Sequence, residues 1–249
     1  MMDFETGTVV CIDKPYGWTS FDVVARVRGM VRRYLGVKKI KVGHAGTLDP
    51  LATGVLIVCT GKATKTIDTL QAETKEYVAT LKLGATTPSF DKETEEDATF
   101  PTEHITEEQV QNVLKTFVGT ISQIPPAYSA LKVDGERAYK LARKGADVVL
   151  QPKTLVIDEI EMLDYGFTND TETPDTQGYL RLVIRVVCSK GTYIRALARD
   201  IGEALGSGAY LTDLRRTRIG SYRVEDCVSI EAFQAQVEAM PPKEKEIKE

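Results

Sequence analysis

Two hydrophobic periodicities alternate along this chain, and together they restrict the folds that it can adopt. Between Tyr77 and Leu83 apolar and polar residues alternate one by one, which is the period of a strand with one buried face. From Ser20 to Gly36 the apolar residues instead recur every three or four positions, as on the buried face of an α-helix. No longer repeat is found in the sequence. The sequence therefore predicts a fold that mixes helices and strands, α/β (α+β), rather than an all-helical, all-strand or repeat architecture.

Further elements follow from the same periodicities and from the residues that begin and end them. The expected elements are a first strand at Val9–Ile12, a helix with Ser20 as its N-cap, a helix that begins with the capping box at Thr106 and is closed at Gly119, strands at Thr154–Met162 and Tyr179–Cys188, a helix over Thr192–Leu205 and a last helix from near Ser229. The tail after Met240 is rich in charge and poor in apolar residues, so we expect it to fray.

Charge is distributed unevenly along the chain, although the formal net charge is only −4. Seven basic residues and no acidic residue lie between Val23 and Leu48. Nine basic residues against three acidic ones lie between Arg181 and Arg223. Phosphate binding depends on local rather than net charge, so two such segments favour a nucleic-acid-binding surface over merely solvated faces.

Several classes of protein are excluded by features that the sequence lacks. The four cysteines are widely spaced and form no CxxC pair, which argues against a zinc knuckle or a disulfide framework. The longest apolar run, Val55–Cys59, is far too short to cross a membrane, and the acidic N-terminus lacks the apolar segment of a signal peptide. We therefore expect a cytoplasmic protein that does not bind a membrane.

The segment from Gly43 to Gly54 is the strongest candidate for a chemical site. It contains three glycines, one proline and a single carboxylate, Asp49, among small residues. Such a backbone can approach a ligand closely, and Pro50 disfavours a helical conformation at Asp49. A glycine-rich loop with one aspartate is also typical of a plain turn, so these residues alone leave both interpretations open.

Four other chemistries have little support in the sequence. Gly61 and Lys62 follow it at the wrong spacing for a phosphate-binding loop, and Ala63 occupies the Ser/Thr position of that motif. His44 and Asp49 have no evident third ligand, so no metal is expected. No serine or cysteine lies in a nucleophile motif such as GxSxG, and a hydrolase with Asp49 as general base lacks a partner carboxylate.

Five motifs are spread along most of the chain. They are Asp13-Lys14-Pro15, Gly43–Leu56, Lys75-Glu76-Tyr77, Ile124–Lys132 and Ser189–Arg195. In content and order they resemble the stand-alone bacterial branch of the TruB family of tRNA pseudouridine-55 synthases. The resemblance implies a pseudouridine synthase fold, which is a mixed, mainly antiparallel sheet flanked by helices with a central RNA-binding cleft.

The resemblance also implies a reaction and assigns three catalytic residues. Uridine 55 in the T loop of tRNA is expected to be flipped out and isomerised to pseudouridine, with Asp49 as the attacking carboxylate. Tyr77 matches the aromatic residue that stacks on the base, and Arg195 matches the arginine that pairs with the aspartate. Whether Asp49 attacks the sugar C1′ or the base stays open. The resemblance implies no cofactor and no metal.

Five further residues match positions that bind the substrate in this family. Lys14 belongs to a Lys-Pro pair near the cleft, and His44 matches a histidine that stacks among the flipped nucleotides. Tyr193 and Leu214 match positions that line the base pocket. Lys132 lies in residues 128–145, which resemble the mobile thumb that closes on the T arm and which carry five basic side chains.

Domain organisation and partners follow from the same resemblance. We expect a catalytic domain over residues 1–228, followed by a short helix and charged tail over 229–249 and no PUA domain. The expected partner is tRNA, bound through its T arm without a guide RNA, and the chain is expected to act as a monomer. A non-catalytic RNA chaperone that uses the same cleft is the second hypothesis. The joint presence of Asp49, Tyr77 and Arg195 favours the enzyme.

Overall fold

The structure is a computed structural model of the 249-residue chain, and it describes residues 2–133, 135–146, 148–168 and 178–242. Its helices are α1 (Ser20–Leu35), α2 (Ile67–Ala72), α3 (Glu107–Thr116), α4 (Ala138–Arg143), α5 (Ile194–Ala204) and α6 (Ile230–Glu238). Its strands are β1 (Val9–Lys14), β2 (Val42–Ala45), β3 (Ala52–Thr60), β4 (Lys75–Leu83), β5 (Ala85–Thr86), β6 (Ala98–Thr99), β7 (Gly119–Gln123), β8 (Lys132–Val133), β9 (Glu136–Arg137), β10 (Lys153–Thr168), β11 (Tyr179–Cys188), β12 (Ala209–Ile219) and β13 (Tyr222–Arg223).

The chain divides into two compact units. The first contains Met1–Lys75 and Arg215–Glu249, and the second contains Glu76–Leu214. In the first unit β3 pairs antiparallel with β1 and β2 and neighbours β12, which pairs antiparallel with β13. In the second unit the strand order is β12-β4-β11-β10-β7, and β10 is antiparallel to both β11 and β7. Isolated parallel bridges join Ile12 to Val228 and Asp91 to Leu211. The predicted α/β class with mixed, mainly antiparallel pairing is therefore confirmed.

The core of the first unit forms where the apolar face of α1 meets α6 and the sheet. Val23, Val27 and Val31 of α1 are completely buried, as is Phe233 of α6. The spacing of the valines places them on one side of α1, and their burial supplies hydrophobic stabilisation of roughly 2 kcal/mol for each side chain. The buried face of α1 agrees with the sequence pattern, and it packs the helix against β1, β3 and α6.

The N-cap of α1 is Thr19, so the expectation that Ser20 caps this helix was wrong by one residue. The hydroxyl of Thr19 accepts a hydrogen bond from the backbone N–H of Asp22 at 3.0 Å, and the Asp22 carboxylate accepts one from the Thr19 backbone at 2.9 Å. This reciprocal capping box satisfies two backbone donors. Ser20 is instead buried in the first turn and bonds to the backbone of Leu48. Adjacent Thr and Ser residues are both good caps, and only the distant contact of Ser20 separates them.

Other elements begin close to where the sequence predicts, but β10 extends to Thr168, six residues past the expected end at Met162. The residues of β4 alternate between more and less buried positions along the whole strand, as the periodicity predicts. The capping box of Thr106 and Gln109 is present at the start of α3, but this helix ends at Thr116, and Gly119 begins β7. The last helix has Ser229 as its N-cap. Residues 243–249 of the charged tail lie outside the described residues. Within the described part of the chain, no helix is long and apolar enough to span a membrane.

Candidate active site

Asp49 lies in the segment that connects β2 to β3 in the first unit. The backbone N–H of Ala52 donates to the carbonyl oxygen of Asp49 at 3.1 Å, which closes a turn. Gly46 and Gly54 have φ angles of 91° and 101°. A Cβ at Gly54 would lie 2.1 Å from the carbonyl oxygen of Arg216, so no larger residue fits there. Gly46 and Gly54 therefore allow a backbone conformation that larger residues would not adopt here. We call residues 46–54 the Asp49 turn.

The residue before Asp49 is bound to α1. The backbone N–H of Leu48 donates to the hydroxyl oxygen of Ser20 at 2.8 Å, and the Ser20 hydroxyl donates to the Leu48 carbonyl oxygen at 3.0 Å. Both residues are buried, so water does not compete effectively for these bonds. The pair fixes both backbone polar groups of Leu48.

The residue after Asp49 is held by the completely buried side chain of Lys14. The Lys14 Nζ donates to the carbonyl oxygens of Pro15, Trp18 and Pro50 at 2.9, 2.6 and 3.3 Å. Burial lowers the pKa of Lys14 from 10.5 to about 8, and the nearby Asp49 carboxylate opposes this by favouring the charged ammonium. The predicted substrate-binding residue Lys14 is thus near Asp49 and supports its turn from inside the protein.

Arg216 holds the Asp49 turn from β12. Its side chain is only 1% exposed, and its Nε and Nη2 donate to the carbonyl oxygens of Val55 and Gly46 at 2.8 and 2.9 Å. A longer contact of 3.5 Å joins Nη1 to the carbonyl oxygen of Thr47. A rigid fork of N–H donors suits such a set of carbonyl acceptors. Arg216 therefore connects backbone on both sides of Asp49.

His44 lies on β2, opposite Val58 of β3. Burial lowers the pKa of His44 below its usual 6.5, and the charge of Arg216 lowers this pKa further. The ring is therefore neutral at pH 7. Its Nδ1 is buried and makes no hydrogen bond to any of the described residues. Across those residues no three His, Cys, Asp or Glu side chains form a cluster that could hold a metal ion.

Tyr77 lies near the start of β4 in the second unit and is 9% exposed. It shares its face of the strand with Ala79, Leu81 and Leu83, which are all buried. This is the face that the alternation predicts. The stacking role of Tyr77 stays a prediction.

Arg195 lies in the first turn of α5 and is 4% exposed. Its Nε is 3.6 Å from the Asp91 carboxylate, and its Nη1 and Nη2 donate to the carbonyl oxygens of Ser89 and Tyr128 at 3.2 and 3.0 Å. Burial of a charged guanidinium requires partners of this kind. Arg195 is therefore an interior residue of the second unit rather than a surface helical arginine. Its pairing with Asp49 of the first unit stays a prediction.

The other predicted base-pocket residues of the second unit flank Arg195 in the chain or lie on β12. Tyr193 is the N-cap residue of α5, and its backbone N–H donates to the side chain of Gln123 at 2.9 Å. The amide nitrogen of the same buried Gln123 donates to the Tyr193 carbonyl oxygen at 3.2 Å. Leu214 is buried on β12. The start of α5 is thus anchored to β7, which positions Tyr193 beside Arg195.

The thumb segment, residues 128–145, contains the hairpin of β8 and β9 followed by α4. Lys132 and Lys140 are exposed, and neither forms an ion pair with another described residue. Arg143 is paired with Glu93, and Lys144 lies 3.0 Å from the carboxylate of Glu136. The basic side chains of the thumb segment therefore face solvent and include two lysines available for an anion.

A cavity of about 510 Å³ lies in the first basic segment of the sequence. It is lined by Arg28, Arg32, Lys38, Lys39, Ile40 and Lys41. Five of these six side chains are cationic, so the cavity favours an anion such as a phosphate group. We call it the basic pocket.

Two buried residues, one in each unit, contact predicted site residues or their turn and were not singled out in the sequence. Arg216 follows Arg215 in a segment whose charge predicts only a basic surface. Asp91 is one of many acidic residues in an acidic region, and nothing in the sequence marks it as the partner of Arg195. Two adjacent arginines in a strand could have indicated that one of them is buried, but for Asp91 no comparable signal exists.

Comparisons with known proteins match nearly the whole chain. The family described as TruB family pseudouridylate synthase (N terminal domain) matches residues 32–194, and the tRNA pseudouridylate synthase B C-terminal domain matches residues 195–248. The chain is 64% identical over 232 residues to the tRNA pseudouridine synthase B of Phocaeicola vulgatus, with 93% of this chain and 94% of that protein covered. It is 62% identical over 232 residues to the protein of the same name from Bacteroides thetaiotaomicron, with 93% of each covered.

Solved structures also resemble the chain. A crystal structure of a Cbf5-Nop10-Gar1 complex contains a chain of 31% sequence identity that superposes with a TM-score of 0.65. The superposition covers 93% of this chain and 54% of that one, so this chain spans about half the length of that relative. A structure of an H/ACA RNP bound to a substrate RNA containing 2′-deoxyuridine gives 29% identity and a TM-score of 0.61 over 93% of this chain and 53% of that one.

Proposed function

Because the chain belongs to the TruB family of pseudouridylate synthases, and is therefore an isomerase, we propose that it converts uridine 55 in the T loop of tRNA to pseudouridine with Asp49 as the attacking carboxylate. The observation that carries this proposal is the Asp49 turn, which buried side chains hold on both sides of the carboxylate. The tRNA substrate follows the names of the relatives, which match over most of their length.

The reaction rearranges one nucleotide without any change in its composition. The bond between N1 of uracil and C1′ of the ribose breaks, the uracil turns, and its C5 bonds to C1′. The proton on C5 is then lost and N1 gains one, so atoms and charge balance. Asp49 supports the intermediate through a bond to C1′ or to the base. Tyr77 stacks on the base and assists the removal of the C5 proton.

The fixed position of Asp49 gives the carboxylate its catalytic value. Ser20 binds the residue before it, and Lys14 binds the carbonyl oxygen of the residue after it. Arg216 binds backbone on both sides. A nucleophile on such a rigid support meets the substrate with little loss of entropy at the moment of reaction.

RNA binding is proposed to combine electrostatic attraction with stacking. Lys132 and the basic pocket offer cations to phosphates. His44, Tyr193 and Leu214 line the flipped nucleotide. The neutral imidazole of His44 and the phenol ring of Tyr193 stack on bases, an interaction that needs no charged side chain. Arg195 balances the charge of Asp49.

A reconstituted reaction tests this function directly. The purified chain is mixed with an unmodified tRNA transcript, with chelator present and with no cofactor or guide RNA. Carbodiimide mapping is expected to show one pseudouridine, at position 55, and none in a transcript with cytidine at that position. A transcript that stays unmodified after prolonged incubation with stoichiometric protein contradicts the proposal. Sedimentation of the same sample tests the expected monomer, and cell fractionation tests the cytoplasmic location.

A shortened substrate tests the proposed importance of the T arm. We expect an isolated T-arm hairpin to react with a kcat/KM within tenfold of that of full-length tRNA at one fixed salt concentration. An advantage of more than tenfold for the full tRNA means that about 1.4 kcal/mol of transition-state binding arises outside the T arm. The T-arm proposal then fails, while the isomerase proposal stands.

A further inference from the structure

Two cysteines that are 216 positions apart in the sequence meet in the first unit. The Sγ atoms of Cys11 and Cys227 are 2.7 Å apart. Cys11 lies in β1, and Cys227 lies in the segment that leads to α6. Both residues are partly exposed, whereas Cys59 and Cys188 are buried.

Backbone pairing accounts for this contact. The N–H of Val228 donates to the carbonyl oxygen of Cys11 at 3.0 Å, and the N–H of Asp13 donates to the carbonyl oxygen of Val228 at 3.0 Å. Ile12 and Val228 form a parallel bridge, which places Cys11 and Cys227 side by side on the neighbouring rung. Adjacent strands are about 4.8 Å apart, and this spacing falls within the range of about 4.4–6.8 Å between Cα atoms that a disulfide requires. Formation of an S–S bond of about 2.05 Å needs a movement of roughly 0.7 Å from the observed separation.

The two thiols differ in their readiness to lose a proton. The hydrogen bond with Cys227 lowers the pKa of Cys11, although burial opposes this effect. The same contact and burial raise the pKa of Cys227. Cys11 is therefore the better nucleophile, and Cys227 is placed to react with whatever forms on the Cys11 sulfur.

We propose that Cys11 and Cys227 form an oxidant-sensitive dithiol, which hydrogen peroxide converts into a disulfide between β1 and the segment before α6. The Cys11 thiolate attacks one peroxide oxygen, which gives a sulfenic acid and releases hydroxide. The Cys227 sulfur then attacks the sulfenic sulfur and displaces water as its proton leaves. Overall, two thiols lose two electrons and two protons, and one peroxide is reduced to two water molecules.

The other cysteines provide the comparison for selectivity. Cys59 is buried in an apolar cluster against which Cys11 and Cys227 also pack, and burial raises the pKa of its thiol. In the pairing of β1 with β3, Cys59 lies opposite Val9 and Cys11 lies opposite Ile57. Cys59 is thus two positions out of register with Cys11. Cys188 is buried in β11 of the second unit. We therefore expect the Cys11–Cys227 bond to form in preference to any other.

The test is a peptide map of the full wild-type chain after mild treatment with hydrogen peroxide. Two of the four thiols are expected to become unreactive to a thiol reagent under denaturing conditions, and the mass falls by about 2 Da. Trypsin is expected to release peptides 1–26 and 224–243 joined as one species, since the Lys14–Pro15 bond resists cleavage. Dithiothreitol separates these peptides and restores four thiols.

Matched variants decide whether the pair itself is responsible. Cys227→Ser is expected to abolish the linked species and to leave Cys11 as the oxidised residue, whereas Cys59→Ala and Cys188→Ala retain the link. The proposal fails if oxidised wild-type protein shows Cys11 joined to Cys59, or both Cys11 and Cys227 as free thiols. It also fails if Cys11 advances to a sulfinic acid while Cys227 stays reduced. The wild-type map gives this answer even where a variant does not fold.

Discussion

The Asp49 turn and the thumb segment are both rich in polar groups, but the protein holds them in opposite ways. Around Asp49 the polar side chains of Ser20, Lys14 and Arg216 are buried, and each binds backbone carbonyl oxygens or an N–H group. In the thumb segment Lys132 and Lys140 are exposed. Its elements are two strands of two residues each and one short helix.

This contrast separates two tasks that one RNA-modifying enzyme must perform. A carboxylate that attacks a substrate gains from a fixed position, since misplacement by even 1 Å is costly in rate. A surface that follows a phosphate backbone needs charge and adaptability more than rigidity. We therefore expect changes at the Asp49 turn to reduce kcat and changes in the thumb segment to increase KM.

The largest effect is expected for Asp49→Asn, which keeps the shape of the side chain and removes its nucleophilic charge. Turnover should fall on the order of 10⁴-fold or more, while affinity for tRNA changes little. Single-turnover modification and filter binding measure the two quantities. Asp68→Asn on the exposed face of α2 is the matched control and should react normally. Substantial residual turnover in Asp49→Asn would rule out the assigned role.

The second-largest effect is expected for Arg216→Met. Its kcat should decrease by about 10- to 100-fold, with little change in KM. The substitution preserves bulk but removes the donors to Gly46 and Val55, so the Asp49 turn loses part of its support. Unfolding in urea should show a stability loss of roughly 3 kcal/mol, since buried carbonyl oxygens are left without donors.

The neighbouring Arg215 provides the control for this experiment. Its partly exposed side chain pairs with Asp13 at 2.8 Å, so Arg215→Met should change kcat by less than about threefold. A KM increase without a kcat decrease in Arg216→Met would show that this arginine contributes to RNA binding and does not position Asp49.

The third effect concerns the thumb segment, where Lys132→Ala together with Lys140→Ala should raise KM by roughly 5- to 10-fold and leave kcat unchanged. Each lost phosphate contact should also reduce the slope of log affinity against log salt by about 0.7–0.9. Lys115→Ala, an exposed lysine at the end of α3, is the control. A decrease in kcat at unchanged KM would contradict the division of tasks between the two regions.

The smallest effect is the pH dependence that the buried Lys14 gives to the free energy of unfolding. The pKa of Lys14 is lowered to about 8 in the folded chain from an ordinary 10.5, so between these values the unfolded chain holds a proton that the folded chain has released. Stability rises with pH wherever the unfolded state binds more protons. Lys14 therefore contributes a gain in the free energy of unfolding from about pH 8 to 10.5 and a constant penalty below pH 8.

Urea unfolding of the wild type and of Lys14→Met between pH 7 and 10 measures this contribution. The difference in free energy of unfolding, wild type minus variant, should stay constant up to about pH 8 and then increase. A difference that stays constant up to pH 10 would mean that the Lys14 ammonium is hydrated rather than buried.

Local patterns in the sequence predicted eight of the helices and strands, and its motifs predicted the family. The alternation in β4, the capping box of Thr106 and the Ser229 cap depend on residues within a few positions of one another, and such patterns can be read without a structure. The TruB assignment was confirmed because its motifs preserve residue type and order over most of the chain. The roles of Asp49, Tyr77 and Arg195 came from the same motifs and stay predictions.

Which polar groups are buried together depends on the tertiary structure. Thr19 and Ser20 are equally good caps in sequence, and the contact of Ser20 with Leu48 separates them. Likewise, Arg195 pairs with Asp91, which is more than a hundred positions away in the sequence, and Cys11 contacts Cys227, which is 216 positions away. A buried polar atom must find a partner wherever the folded chain supplies one, and chain distance carries no information about that choice. Hydrophobic periodicity is a local property of the sequence, whereas the satisfaction of buried charge and hydrogen bonds is a property of the whole fold.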